Sequence, residues 1–116
     1  MSSMANSPLT KVQLNGAEAV FMLGADDDAD TVENVDVEVT LDDKSRWSAT
    51  FLTLTEIQRL MERWEATGEC FAGAYFQCAD LVIVDQGGIV AATNLLRRLV
   101  DTGRIREVLV RVDIEE

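Results

Sequence analysis

Hydrophobic positions change period several times along the chain, and each change marks an element. Val12, Leu14, Ala17 and Ala19 alternate with polar residues around Asn15-Gly16, a dipeptide suited to a two-residue hairpin turn because both of its residues tolerate positive φ. That turn sets Leu14 opposite Ala17 and Val12 opposite Ala19, with Gln13 and Glu18 together on the other face; Ala17 to Leu23 also fits a short helix. Val35, Val37, Val39 and Leu41 then alternate with Asp36, Glu38, Thr40 and Asp42, and the alternation resumes at Trp47, Ala49 and Phe51. A period of two denotes half-buried strands. Matching apolar to apolar requires an odd-numbered loop. The expected pairs are Leu41 with Trp47, Val39 with Ala49 and Val37 with Phe51. The loop is then three residues long with Asp42 facing Arg46, or five if that pair frays.

From Leu54 the period lengthens. Leu54, Ile57, Leu60, Met61 and Trp64 form one stripe at helical spacing. Thr53 and Glu56 have the spacing of a capping box, and Leu52 and Ile57 stand at staple positions. Gly68 supplies a left-handed stop, so the helix is predicted over Leu54 to Thr67. Its outward face carries Glu56, Arg59, Glu62, Arg63 and Glu65. Tyr75 to Cys78 and Leu81 to Val84 read as two short strands around Ala79-Asp80. The second is apolar throughout, as a central strand covered on both faces would be. After Gly87-Gly88 a second stripe, Ala92, Leu95, Leu96, Leu99 and Val100, predicts a helix over Ile89 to Thr102. Val108, Val110, Val112 and Ile114 predict a closing strand. The expected fold is α+β: two layers, an antiparallel-rich sheet of about five to seven strands with the two helices on one face. Arg46 to Asp85 holds both Trp, the only Tyr, both Cys and three of the four Phe, so the fold is organised around it.

A chain of 116 residues supports one core. The domain is placed at 9–116, behind a small, polar, disordered start at 1–8. Ten basic against twenty-one acidic residues leave a net charge of −11. That charge disfavours nucleic acid and suits a basic protein or a cation, or simply confers solubility. No apolar run reaches the length of a membrane helix and no signal segment is evident, so a cytoplasmic location is expected without a membrane partner. Cys70 and Cys78 are expected as reduced thiols.

Candidate chemistry is sparse. The absence of His removes the commonest general base, the commonest metal ligand and every His-based triad. Asp26, Asp27, Asp28 and Asp30 resemble the start of a calcium-binding loop. Thr31 and Val37, however, occupy the positions that need Gly and a bidentate Glu, so a solvated connection is expected. Gly87-Gly88 lacks the Lys and Ser/Thr of a phosphate loop and is read as a turn. Asp80 and Asp85 flank the apolar strand where turn residues belong, and Cys78 has acidic and apolar neighbours that discourage a thiolate. No catalytic residue, cofactor or metal ligand is assigned, and no enzymatic activity is expected.

Charge is unevenly distributed. Nine acidic residues lie between Asp26 and Asp43 without one basic residue, whereas Arg97, Arg98, Arg104, Arg106 and Arg111 gather near the end. Either the two regions pair within the monomer, or they meet between subunits, or the acidic part receives a basic partner. The residues assigned to such docking are Asp26, Asp27, Asp28, Asp30, Glu33, Asp36 and Glu38. Trp47-Ser48-Ala49-Thr50-Phe51, Thr53, Ile57, Leu60-Met61, Thr67-Gly68-Glu69-Cys70, Gly73, Tyr75-Phe76 and Asp80 resemble a group of small acidic bacterial proteins of unknown function. Size, acidity and the α+β plan are also similar to immunity proteins of bacterial toxin systems, which neutralise toxins by covering them. The resemblance implies a protein-binding module; a homo-oligomeric housekeeping domain and a carboxylate-based cation or metabolite binder are the alternatives.

Overall fold

The computed structural model describes residues 9–112, so the expected tail at 1–8 and the end of the closing strand, Ile114 included, lie outside the described residues. Among the described residues six strands form one mainly antiparallel sheet: β1 (Leu9–Leu14), β2 (Ala17–Met22), β3 (Asn34–Leu41), β4 (Arg46–Thr53), β5 (Leu81–Val84) and β6 (Val110–Arg111). The helices are α1 (Leu54–Thr67), a short turn α2 (Glu69–Gly73), α3 (Ile89–Asp101) and α4 (Ile105–Val108). The order is β1-β2-β3-β4-β5, with β6 also pairing with β4. The fold class is the expected α+β.

The Asn15-Gly16 hairpin forms with Leu14 opposite Ala17 and Val12 opposite Ala19. The second hairpin has the expected odd loop and the expected core face, but its register is displaced by two residues. Val39 faces Trp47, Val37 faces Ala49, Val35 faces Phe51, and Arg46 faces Thr40 rather than Asp42. The turn's own chemistry selects this register. Lys44 takes a left-handed φ of 75°, as a three-residue loop requires. Asp43 Oδ1 accepts from Ser45 N and Oγ, and Ser45 Oγ accepts from Trp47 Nε1 at 2.8 Å. Ser45 is thereby buried and satisfied, and Leu41 N reaches Ser45 O.

One face of this sheet is the core. Ala19, Phe21, Val35, Val37, Val39, Ala49 and Phe51 pack with Ile89, Ala92 and Leu96 of α3. The other helix that closes this face is α4, through Ile105. α1, expected there, contributes no buried residue at all. Its ends are nevertheless as written in the sequence: Thr53 Oγ1 accepts from Glu56 N at 3.1 Å, and Gly68 stops the helix at φ 90°. Only half of the capping box forms, because Thr53 N donates to Glu33 O and the Glu56 carboxylate turns to Arg59.

Three further expectations are overturned. Tyr75 to Cys78 is not a strand; Phe76 instead stacks on Trp64 with centroids 5.5 Å apart, and Tyr75 meets Phe71 edge-on. β5 therefore pairs in parallel with β4 through the crossover that α1 provides, and it lies at the sheet edge with Ile83 51% exposed. The closing strand shortens to β6. Leu109 N donates to Ile105 O across a helical turn, so Ile105 and Leu109 are buried at a spacing of four while Val108, Val110 and Val112 face solvent.

The register has a direct test. Glu38 and Ser48 are opposite one another on the outer face. Cysteines at those two positions should cross-link readily on mild oxidation, and cysteines at Glu38 and Thr50, the pair demanded by the other register, should not.

Candidate functional site

The β2–β3 connection is a folded loop, held by its own carboxylates. Asp27 Oδ2 accepts from Gly24 N at 2.7 Å and Asp28 Oδ1 from Asp30 N at 2.9 Å. Its carbonyls then cap α3, since Gly88 N donates to Val32 O and Ile89 N to Ala29 O. These bonds satisfy amides that a helix start leaves unpaired. A side chain at Gly88 would collide with Asp30 O, and its φ of 97° suits only glycine. The Gly87-Gly88 pair thus serves close approach of the acidic loop to α3.

On its other side the loop meets the start of α1. Thr53 Oγ1 donates to Glu33 Oε1 at 2.9 Å, and Arg59 pairs with both Glu33 (3.3 Å) and Glu56. Asp26, Asp27, Asp28, Glu33 and Glu56 thereby surround a shallow depression of about 370 Å³ in which Arg59 is the one basic side chain among the described residues. Glu56 and Arg59 were not foreseen in this setting. Their i,i+3 spacing is legible in the sequence, but nothing local indicates that the loop folds back onto α1.

The remaining predicted residues stand apart. Asp36 and Glu38 alternate with the core valines and so project from the outer face, where Glu38 pairs with Arg46 at 3.7 Å. Asp30 does not line the depression. Of the seven predicted carboxylates, Asp26, Asp27, Asp28 and Glu33 thus line the depression, Asp36 and Glu38 lie on the outer face, and Asp30 belongs to neither group. The arginine-rich end meets the acidic segment through Arg106, which binds Asp43 at 2.6 Å and sits 5.5 Å from the centre of Trp47. Hydrogen bonds from the Ser45 hydroxyl and amide, and then from Arg106, hold the Asp43 carboxyl far below the usual carboxylate range.

On the outer face Asp80 ties the crossover to β4. It accepts from Ser48 Oγ at 2.7 Å, from Thr50 Oγ1 at 2.8 Å and from Cys78 Sγ at 3.5 Å. Thr50 Oγ1 also lies 2.8 Å from Asp36 Oδ1, so a single hydroxyl proton serves two carboxylates in turn. Both cysteines are free thiols. Among the described residues no three metal-ligating side chains gather as a set, and no buried side-chain N or O lacks a hydrogen bond. No helix among them is long and apolar enough to cross a membrane. No family model, curated protein or solved structure matches the chain.

Asp80 makes stability depend on pH. Partial burial opposes its ionisation, but the hydrogen bonds from Ser48, Thr50 and Cys78 outweigh it and lower the folded pKa. A carboxyl whose folded pKa lies below its unfolded value of about 3.9 contributes stability that is present above that value and is lost as pH falls through the folded pKa. Urea midpoints of the parent should therefore fall on going from pH 7 to pH 3, and Asp80→Asn should show a smaller fall.

Proposed function

We propose that the protein is a non-enzymatic binding module of the bacterial cytoplasm that offers an acidic surface to a basic protein, in the manner of the immunity proteins it resembles. The observation that carries this reading is the depression at the β2–β3 loop, where five carboxylates surround Arg59 in a chain of net charge −11. Its loop is tied through Ala29, Val32 and Glu33 to α3 and to α1, and Asp27 and Asp28 close turns within it, so the charges are held in place rather than on a free coil. Preorganisation of that kind lowers the ordering cost of association. Clustered charge of one sign steers an oppositely charged partner and accelerates encounter.

A second reading is self-association, with acidity serving solubility. It is favoured by the exposure of Phe71 (83%), Val90 (71%) and Leu54 (68%), large apolar side chains that an isolated monomer leaves in water.

The first reading is tested with a partner captured from the source cells. Glu33 must be left intact, because it braces Thr53 and Arg59. Asp26→Asn, Asp27→Asn, Asp28→Asn and Asp30→Asn together keep an acceptor oxygen at each position. The association rate at low salt should fall by about tenfold in that variant, and the parent's rate should fall steeply as salt is raised through the physiological range. A rate indifferent to both changes would reduce the loop to a solubilising element.

A further inference from the structure

α1 presents an apolar stripe that the other described residues cover only in part. Towards its C-terminus Trp64 stacks on Phe76, and the left-handed turn of α2 brings Gly73 against the helix so closely that a side chain there would strike the Met61 carbonyl. Towards its N-terminus the stripe is open. Leu54, Ile57 and Met61 floor a groove of about 350 Å³ that Gly73 closes at one end, and Glu62 and Glu65 stand on its edge with no basic side chain among the described residues lining it. Leu54 is 68% exposed, and none of the helix's fourteen residues is buried. A helix of this length owes its stability in water mainly to a covered apolar face.

We propose that this groove receives a basic amphipathic segment of another protein, whose apolar side chains at helical spacing enter between Leu54 and Met61 while its Lys or Arg side chains meet Glu62 and Glu65. This is helix-in-groove recognition. Charge selects the occupant. A second copy of the chain brings a further net charge of −11 to a carboxylate rim, whereas a basic segment neutralises it. The inference rests on the reading that the partner is basic, but it locates a different surface. At roughly 100° per residue, Glu56 and Arg59 project from the opposite side of α1 to Leu54 and Met61, so the groove is separate from the loop depression.

The probe is a synthetic peptide of Leu and Lys with Leu at helical spacing, titrated calorimetrically beside a scrambled peptide of the same composition. The parent should bind one patterned peptide at least about tenfold more tightly than the scramble, since patterning and not charge alone is read. Met61→Asp should weaken binding by about tenfold or more. Glu62→Gln with Glu65→Gln, exposed changes that leave the fold intact, should weaken it by several-fold at low salt and hardly at all at high salt. The variant with Asp26, Asp27, Asp28 and Asp30 neutralised should bind the patterned peptide as the parent does. Equal affinity for the scramble, or loss of binding in the loop variant with both groove variants unaffected, would overturn the groove and leave the acidic-surface reading standing. Failure of the patterned peptide to bind would also overturn it. A concentration-dependent dimer that Met61→Asp dissociates would overturn it in favour of a second copy.

Discussion

The Thr53 hydroxyl decides where α1 can go. It accepts from Glu56 N and donates to Glu33 Oε1, while its own backbone N–H is held by Glu33 O. One residue is thereby the last of β4, the N-cap of α1 and the attachment of the acidic loop. A cap of this kind is worth about 1 kcal/mol, but its geometric consequence is larger. α1 must leave the sheet at the end of β4 that Glu33 brackets, away from the face that α3 closes. The core is completed by Ile89, Ala92 and Leu96 of α3 with Ile105 of α4, and the stripe of α1 is left to the Trp64–Phe76 stack and to solvent.

This division explains the uneven character of the molecule. The core face is apolar on five strands and is sealed by α3 and α4. The remaining surface is carboxylate-rich at the loop, carboxylate- and hydroxyl-rich around Asp80, and apolar along the first turns of α1. Asp80 and Thr53 have parallel roles at the two ends of the crossover. Thr53 fixes its departure from β4 and Asp80, through Ser48 and Thr50, fixes its return. A crossover tied at both ends but packed loosely between them is a suitable place for binding, because its exposed face is displayed without the core depending on it.

What the sequence disclosed follows from the range of the interactions involved. The hairpin at Asn15-Gly16, the limits of α1 and α3 and the core face of β3 and β4 rest on turn chemistry and on period, which are local. The two-residue displacement of the β3–β4 register was not legible from alternation, because registers two apart put the same residues in the core. Ser45 and Lys44 decided between them. Tyr75 to Cys78 looked like a strand because aromatic residues favour strands, yet a contact with Trp64, eleven positions or more away, claimed them. The burial of Leu109 was not legible because Ile105 and Leu109 share a helical turn within a stretch that also reads as alternating. Of the candidate site, the acidic composition of the loop was evident. Its attachment to α1 through Glu33 and Arg59 was not, since that contact joins residues far apart in sequence and neither end marks it.

The central claim is that α1 is structurally dispensable to the core and available to a partner. Amide hydrogen exchange on the free protein tests it most directly, since protection reports the opening free energy of each element. The account predicts that the amides of α1 exchange far faster than those of β2, β3, β4 and α3, by local opening that leaves the sheet protected. Protection of α1 equal to that of the sheet, lost only when the whole molecule unfolds, would contradict it.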